Sequence, residues 1–345
     1  MTNRSQFVCA LMVISGLLLS TGVFAKPAKR SLCVFDVVGT NGPVYNAVKE
    51  YRTAALKWGV KFELKPYTDE AVALEDFQAG QCDGVVLTGV RNRQLVKFAG
   101  SIDMMGALPS YRHLKKAIRA LSQPKAAQYM RTEKYEVAGI FPAGAVYFFV
   151  RPESMRKVEG TPTIDDFAGK KVAVMSYDQQ GITSIRHVGA TPVPSDVTSF
   201  AGKFNNGSVD LIYAPASAYN ALELYRGLKE DGRIIDYPLA QLTYQITLRR
   251  DNFSDTFAQT SREWSANQFN EAKKRIVKVR RKIPEGMWLN IPDKRKPKYR
   301  AMFRKVRQRL KEEGVYDPRT MVFLRNIRCN IDPSRAECTM DQSGS

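Results

Sequence analysis

The sequence predicts an α/β protein of two lobes, each a βαβαβ parallel sheet with helical cover, followed by C-terminal helices. Its length of 345 residues suits two domains rather than one small module. Its composition, 44% hydrophobic and 25% charged, is that of a globular protein and excludes a disordered or fibrous chain. The third observation decides the architecture, because the same pattern of strands and helices occurs twice along the chain.

The first copy of the pattern begins with an apolar strand at residues 32–38, which ends in a turn at residues 39–43. Apolar residues at helical spacing then predict a helix up to Trp58, and alternation at residues 60–64 predicts a second strand. A second helix and the apolar strand at residues 84–88 complete a βαβαβ unit.

The second copy begins with a strand at residues 171–175 and a short helix that ends at His187. A brief strand at residues 191–193, a helix at residues 195–205 and a strand at residues 209–213 complete it. This half of the chain is therefore predicted to be a second βαβαβ unit.

Both copies contain the junction F-x-x-G-x-x-D directly before their third strand, at residues 77–83 and at residues 204–210. A helix that ends on a glycine and a short turn into a buried strand would explain these residue types. Because one frame is repeated inside two similar units, the sequence indicates paired lobes.

Two β-rich segments follow the two copies, and we interpret them as strands that cross between the lobes. Beyond them, apolar residues at i, i+3, i+4 and i+7 predict helices. The predicted boundaries are a signal peptide at 1–25, lobe 1 at 26–144, a crossing strand at 145–150, lobe 2 at 151–242, a return crossing strand at 243–250, C-terminal helices at 251–313 and an extended tail at 314–345.

The first 25 residues have the parts of a secretory signal peptide. Arg4 supplies the positive charge, residues 7–19 are nearly all apolar, and residues 23–25 suit a cleavage site after Ala25. A membrane anchor is the alternative, but the apolar run is short for a bilayer span. We therefore expect an exported, periplasmic protein that begins at Lys26.

Four cysteines remain after residue 25, and an even number in an oxidising compartment indicates two disulfides. Cys33 and Cys82 lie at the amino ends of the first and third strands, which are neighbours in a doubly wound sheet, at a spacing that suits a disulfide. Cys329 and Cys338 would close a short loop in the tail. These two pairs are predicted, with free buried thiols as the alternative, and the tail is not expected to fold back on lobe 1.

Several motifs resemble a known family. The sequence D-D-F-A-G-K-K-V-A-V at residues 165–174 resembles the entry to the second lobe of periplasmic solute-binding proteins. Residues 189–194 and 206–210 are similar to the receptors of TRAP transporters, the DctP type. The segments C-V-F-D-x-V-G at 33–39, V-V-L-T-G-V-R at 85–91 and F-A-G-K-F-N-N-G-S-V-D at 200–210 resemble a subset of exported proteins labelled AdeT.

The resemblance implies the two-lobe periplasmic-binding-protein fold. It also implies a receptor that captures a small polar solute in the inter-lobe cleft and delivers it to a membrane transporter, with no cofactor. The alternative implied by the AdeT subset is an accessory component of a drug efflux system for aminoglycosides.

One departure from the family pattern concerns the ligand. TRAP receptors usually carry an arginine where the first strand of the second lobe ends, and that arginine clamps a substrate carboxylate. The matching position here is Ala173. Selectivity for carboxylates therefore does not carry over, and the sequence leaves the solute, the transporter and the direction of transport open.

The loops at the carboxyl ends of the strands are the candidate site, because ligands of open parallel sheets bind there. Arg91 can replace the missing arginine from the other lobe, and residues 176–179 combine a hydroxyl, an aromatic ring and a carboxylate. Helix caps, core aromatics or solvated side chains are the alternatives. The candidate ligand-binding residues are Gly39, Thr40, Asn41, Thr88, Arg91, Tyr147, Ser176, Tyr177, Asp178, Gln179, Tyr213, Pro215 and Ser217.

An enzyme is the rival class, and the sequence offers it little. The chain has only two histidines, of which His113 lies among basic residues and is predicted to be exposed, while His187 lies at a helix end. The motifs G-x-S-x-G, G-x-G-x-x-G and G-x-x-x-x-G-K-[ST] do not occur in the sequence. We expect neither a catalytic nor a metal site.

The formal net charge is +19, and most of it is concentrated near the C-terminus. Residues 271–311 contain 17 Lys or Arg and three acidic residues. Nucleic acid is a poor partner for an exported protein without a nucleic-acid motif. Contact of these basic helices with anionic lipid or an acidic partner is the functional interpretation, and a solvated surface is the alternative.

Overall fold

The computed structural model describes residues 26–155 and 164–339, so the predicted signal peptide lies outside the described residues. The strands are β1 (Ala28–Phe35), β2 (Val60–Tyr67), β3 (Gly84–Thr88), β4 (Tyr135–Val150), β5 (Lys171–Met175), β6 (Thr191–Ser195), β7 (Leu211–Pro215), β8 (Arg233–Asp236), β9 (Ala240–Arg249) and β10 (Trp288–Asn290). The helices are α1 (Pro43–Lys57), α2 (Glu70–Gln78), α3 (Gly89–Asn92), α4 (Lys97–Gly100), α5 (Tyr111–Leu121), α6 (Pro152–Met155), α7 (Gln179–His187), α8 (Val197–Asn205), α9 (Ala218–Ala221), α10 (Tyr225–Leu228), α11 (Asp255–Asn267), α12 (Phe269–Arg280), α13 (Lys296–Glu312), α14 (Pro318–Ile331) and α15 (Ala336–Thr339).

The two predicted βαβαβ units are confirmed, and they belong to one sheet of ten strands. The strand order is β2-β1-β3-β9-β4-β7-β5-β6, and β8 joins β4 to β10. The first three strands are parallel, as are β6, β5 and β7 at the other end. Strands β9 and β4 run antiparallel to their neighbours in the middle of the sheet and connect the two lobes.

The crossing strands are longer than the sequence predicts. Strand β4 begins at Tyr135, ten residues inside the predicted lobe 1, and pairs with β9 from Tyr135–Arg249 to Val146–Ala240. The boundary at residue 144 is therefore wrong. The first half of β4 contains glycine and proline, so the sequence does not predict a strand there. The register shifts at Val137/Gly139 and Pro142/Gly144 fall at these residues.

The repeated F-x-x-G-x-x-D junction has the same structural role in both lobes. The Asp83 carboxylate accepts the backbone N–H of Ser31 at 2.7 Å, and the Asp210 carboxylate accepts that of Lys171 at 2.8 Å. Each aspartate thus ties the third strand of its lobe to the start of the first strand. The intervening glycine has a positive φ in both copies, which favours glycine at the end of a helix.

The same junctions also anchor the crossing strands. Arg151, which follows β4, donates to the Phe204 carbonyl at 2.7 Å, and Arg249, the last residue of β9, donates to the Phe77 carbonyl at 2.5 Å. Both guanidinium groups therefore satisfy a carbonyl at the C-terminal end of a helix, where a positive charge is favourable. Each crossing strand ends against the lobe that it enters.

Helices cover both faces of the sheet in both lobes. Helix α1 and the C-terminal helix α11 lie over one face of lobe 1, whereas α2, α5 and α14 lie over the other. In lobe 2, α7 and α13 cover one face and α8 the other. This cover on both sides is the arrangement expected of strands that read as continuous apolar runs.

The described part of the tail differs from the prediction, because residues 318–331 and 336–339 are helical rather than extended. The Asp317 side chain accepts the Arg319 N–H and begins α14, and Pro318 occupies the first turn. Leu324 and Ile327 on this helix join the lobe 1 core. The tail therefore does fold back on lobe 1, contrary to the expectation, because an apolar stripe on α14 needs burial.

Both predicted disulfides are present. Cys33 and Cys82 are joined with a Cα–Cα separation of 5.9 Å, and Cys329 and Cys338 with a separation of 5.5 Å. The first pair links β1 to the residues just before β3, and the second links α14 to α15. In the described parts of the chain, no helix is both long and apolar enough to span a bilayer.

Candidate ligand-binding site

A cavity of about 170 Å³ lies where the two lobes meet the crossing strands. Helix α1 provides its lobe 1 wall with Val44 and Ala47, and the residues after β7 provide its lobe 2 wall with Ser217. The crossing strands and the helices α11 and α12 close the remaining sides. The cavity therefore has contributions from both lobes and from the strands that connect them.

The start of α1 is held at the cavity by Asp36, a buried residue directly after β1. Its carboxylate accepts the backbone N–H groups of Val38, Val44 and Tyr45 at 2.9, 2.8 and 3.0 Å. These bonds satisfy free donors at the helix N-terminus. A side chain at Gly42 would collide with this carboxylate, which explains the glycine before Pro43.

An irregularity in β4 shapes the opposite wall. The register with β9 shifts between Pro142 and Gly144, and Gly144 has a φ of +126°, a conformation that other residues rarely adopt. The freed backbone N–H of Ala145 donates to the Tyr111 hydroxyl at 3.2 Å. The bulge thereby exposes backbone to the cavity and fixes one of its tyrosines.

Tyr111, Tyr147 and Tyr244 are three of the four tyrosines that line the cavity, and Tyr51 is the fourth. Burial raises the pKa of the Tyr147 hydroxyl to about 12, and it raises the pKa values of the Tyr111 and Tyr244 hydroxyls as well. All three hydroxyls are therefore neutral near pH 7 and keep a hydrogen to donate.

A separate polar cluster joins the lobes next to this cavity. The buried Glu70, first residue of α2, accepts the Thr88 N–H at 2.6 Å and the Tyr177 hydroxyl at 2.7 Å. The Arg91 guanidinium lies 3.3 Å from the centre of the Tyr177 ring, and its Nε lies 3.9 Å from Glu70. The charge of Arg91 is thus opposed within the protein, and Arg91 is not an open clamp for a carboxylate.

Burial raises the pKa values of both acidic groups of this cluster. Desolvation raises the pKa of Glu70 above its usual value, and the bonds from Tyr177 and Thr88 and the charge of Arg91 offset only part of that rise. The same burial and the adjacent Glu70 charge raise the pKa of Tyr177 well above its usual value. Tyr177 consequently stays protonated and acts as a donor from lobe 2 to lobe 1.

Five candidate residues lie in or beside this polar cluster. Thr88, Arg91 and Tyr177 belong to the cluster around Glu70, and the Tyr213 hydroxyl donates to the Asp178 carboxylate at 2.7 Å. Burial and Asp178 raise the pKa of Tyr213 well above its usual value. The Asp178–Tyr213 pair is internal to lobe 2 and orders the loop that carries Tyr177.

The other candidates divide between cavity and surface. Tyr147 and Ser217 line the cavity. Six candidates do not line it: four are exposed, one is buried outside the cavity and one is paired within the sheet, and these are Thr40, Asn41, Ser176 and Gln179, then Gly39, then Pro215.

Four residues with prominent roles at this boundary are not among those predicted from the sequence. Glu70 begins the helix after the second strand, so the rule that selected the other strand ends would have found it. Asp36 directly follows the first strand, so the same rule on strand ends would have found it. Tyr244 and Trp264 carry no local signal, because their place in the cavity depends on how β9 and α11 pack.

His113 is buried rather than exposed, contrary to the prediction. It is only 8% exposed, and its Nδ1 lies 2.8 Å from the Ser110 hydroxyl. Burial and the nearby arginines Arg335, Arg328 and Arg112 lower its pKa to about 4. His113 is therefore neutral at physiological pH and belongs to the packing of α5.

Known proteins match this chain over most of its length. Residues 52–343 match the family model described as solute-binding protein AdeT 1/2. The chain belongs to this family. It is 39% identical over 308 residues to the probable solute-binding protein AdeT1 of Acinetobacter baumannii, an alignment that spans 89% of this chain and 99% of AdeT1. The probable solute-binding protein AdeT2 of the same organism is 23% identical over 243 residues, which is 70% of this chain and all of AdeT2.

Solved structures similar to this AdeT-family chain are TRAP periplasmic solute-binding proteins. One from Bradyrhizobium sp., in complex with galacturonate, has a TM-score of 0.69 at 14% identity and covers 87% of this chain and 99% of its own. Another, from Desulfovibrio salexigens with bound orotic acid, has a TM-score of 0.68 at 13% identity and covers 88% and 99%. These similarities confirm the predicted two-lobe fold of the family member described here.

Proposed function

We propose that this AdeT-family protein is an extracytoplasmic receptor that holds a small solute in the cavity between its lobes and delivers it to a membrane transporter. The observation that carries the proposal is the composition of the cavity wall. Ala47 comes from lobe 1, Ser217 from lobe 2 and Tyr147 from a crossing strand. A ligand in this position stabilises the closed arrangement of two lobes that move about the crossing strands.

Family membership supports binding rather than catalysis. Both AdeT relatives are described as solute-binding proteins, and the similar folds are those of TRAP receptors. The predicted signal peptide, with cleavage after Ala25, supports a periplasmic location, where such receptors meet their transporters. The mature protein of this proposal begins at Lys26.

The first prediction tests the site with cavity-filling variants. Ala47→Leu and Ser217→Leu add apolar volume to the cavity from lobe 1 and from lobe 2. Solutes that raise the melting temperature of the wild-type protein are first found in a thermal-shift screen of organic acids, amino acids, sugars, aminoglycosides and small aromatics. Calorimetric titration of each hit is expected to show a loss of affinity of at least about tenfold in both variants, since overpacking excludes the ligand.

The matched control is Ala54→Leu. Ala54 lies on the same helix as Ala47 but does not line the cavity, so the affinity of a hit should be unchanged in this variant. Binding that survives both cavity-filling substitutions, or that is lost in only one of them, would place the solute elsewhere and contradict the proposed inter-lobe site.

A further inference from the structure

The walls of the inter-lobe cavity are largely apolar and include several aromatic rings. Six aromatic side chains line the cavity, and three of them pack against one another: the rings of Phe141 and Trp264 are edge to face at 6.1 Å, and those of Tyr51 and Trp264 lie 5.7 Å apart. The cavity volume of about 170 Å³ is comparable to the roughly 150 Å³ of an engineered apolar cavity that takes up benzene. It therefore has room for one aromatic ring.

The charged side chains in the cavity wall already have partners within the protein. Arg275 is paired with Glu50 at 2.8 Å, and Arg280 with Asp236 at 2.7 Å. Glu271 is paired with Lys274. An ionised ligand among the apolar side chains of the wall would give up hydration, which costs free energy, and would find these charges already paired.

The cluster next to the cavity does not supply a free charge either. Arg91 is opposed by Glu70 and stacked on the Tyr177 ring. Ala173 stands at the position where the resemblance leads one to expect a clamping arginine. Carboxylate recognition of the usual bidentate kind therefore has no open partner at either of these positions.

Hydrogen-bond donors do remain at the wall. The Tyr111 oxygen accepts the Ala145 N–H, so its own hydrogen is left to donate. The hydroxyl of Tyr147 lies beside the Arg280 guanidinium, which can only donate to it, and so it too keeps its hydrogen. Both hydroxyls suit an acceptor atom of a ligand, such as a carbonyl oxygen.

We propose that the solute of this receptor is an uncharged molecule with an aromatic or similarly flat apolar body and a hydrogen-bond acceptor. The ring lies among Phe141, Trp264 and the neighbouring tyrosines, and the acceptor faces the Tyr111 and Tyr147 hydroxyls. This proposal rests on the proposed function in one respect, because it takes the inter-lobe cavity as the solute site.

The second prediction tests charge selectivity with three probes of equal shape. Benzamide is uncharged, benzoate is its anionic counterpart and benzamidine its cationic counterpart. Calorimetric titration of the full exported protein is expected to give an affinity for benzamide at least about tenfold higher than for either ion, because the ions lose hydration without a free partner. Galacturonate serves as a sugar-acid probe and is expected not to bind.

Two variants connect the binding to the cavity. Ala47→Leu is expected to abolish the benzamide signal, whereas Ala54→Leu on the same helix retains it. Tyr111→Phe should weaken benzamide binding severalfold without abolishing it, since the donor is lost while the apolar walls and the Tyr147 hydroxyl remain.

The outcomes separate the two proposals. If benzoate, benzamidine or galacturonate binds as tightly as benzamide and this binding is lost in Ala47→Leu, the proposed uncharged aromatic ligand is wrong. The inter-lobe site is then retained. Benzamide binding that Ala47→Leu leaves intact overturns the site itself. The lack of any benzamide signal at about 10 mM overturns the ligand class proposed here.

Discussion

Tyr177 connects the two lobes through a single side chain. Its hydroxyl donates to Glu70 across the lobe boundary at 2.7 Å, and the Arg91 guanidinium stacks on its ring. The buried Glu70 carboxylate depends on this hydroxyl and on the Thr88 N–H. Removing one donor therefore leaves a desolvated oxygen without its partner, which costs more than the average hydrogen bond.

The third prediction concerns this bond. Tyr177→Phe keeps the ring over Arg91 but removes the donor, so the free energy of unfolding should fall by about 1–3 kcal/mol. Urea denaturation followed by circular dichroism measures the difference. A value below about 0.5 kcal/mol would mean that the bond between the lobes does not persist in solution.

Tyr225→Phe is the control for that measurement. The Tyr225 hydroxyl also donates to a carboxylate, that of Glu223, but at 3.4 Å, on an exposed side chain and within lobe 2. Its loss should change the free energy of unfolding by less than about 0.5 kcal/mol, as is usual for surface substitutions.

Individual site residues could be predicted only where they follow the carboxyl end of a predicted strand. Arg91 and Tyr177 follow apolar strands in the sequence, and both lie at the lobe boundary in the structure. Thr40 and Asn41 satisfy the same rule yet are exposed, because the Asp36 carboxylate turns the chain away before α1. Which member of a loop faces the partner lobe depends on packing that the sequence does not display.

Helix α14 shows how a whole element can escape sequence analysis. Its apolar residues Met321, Leu324, Ile327 and Ile331 have helical spacing, but arginines lie between them and interrupt the apolar pattern. In the structure Leu324 is fully buried in the lobe 1 core. The tail therefore contributes to lobe 1 through the packing of α14.

The fourth prediction measures this contribution. Leu324→Ala should lower the free energy of unfolding by about 2–5 kcal/mol, the usual cost of a cavity at a fully buried leucine. Val322→Ala on the same helix is the control, because Val322 is 47% exposed and should have little effect. Equal stability of both variants in denaturant titrations would show that α14 is not docked on lobe 1.

On the scale of the whole molecule, the sequence predicts the two lobes, their crossing strands and both disulfides. These features repeat locally or leave strong apolar strands, so they can be found without tertiary information. The cavity is different, since it is assembled from α1, β4, β9, α11 and α12, whose relative placement has no signature in the chain. Its aromatic character appears only after folding.

Charge is a second property of the whole molecule, with residues 271–311 contributing most of the positive excess. Lys273, Lys274, Lys278, Arg281 and Lys282 are exposed on or just after α12. The interpretation that these basic helices contact anionic lipid stays a prediction, and the long range of exposed charges makes it sensitive to salt.

The fifth prediction follows from this charge. The protein should co-sediment with vesicles that contain phosphatidylserine at about 0.05 M salt, and it should be released at about 0.5 M salt. Neutral phosphatidylcholine vesicles should not bind it. Replacing the five basic residues on or just after α12 by Gln should abolish binding, whereas the same change at Lys49, Lys57, Lys61, Lys116 and Lys125 should not. Equal binding of both variants would contradict the predicted lipid contact and indicate that these basic helices are only solvated.

The return of β9 and α14 to lobe 1 has a consequence for biosynthesis. Strand β3 pairs with β9, and the lobe 1 core is closed by Leu324 and Ile327, so the first lobe needs residues from the last part of the chain. A ribosome must therefore release almost the entire polypeptide before lobe 1 can complete its core. Until then the nascent chain exposes apolar strands to any chaperone that meets it, and its two lobes mature together at the end of synthesis.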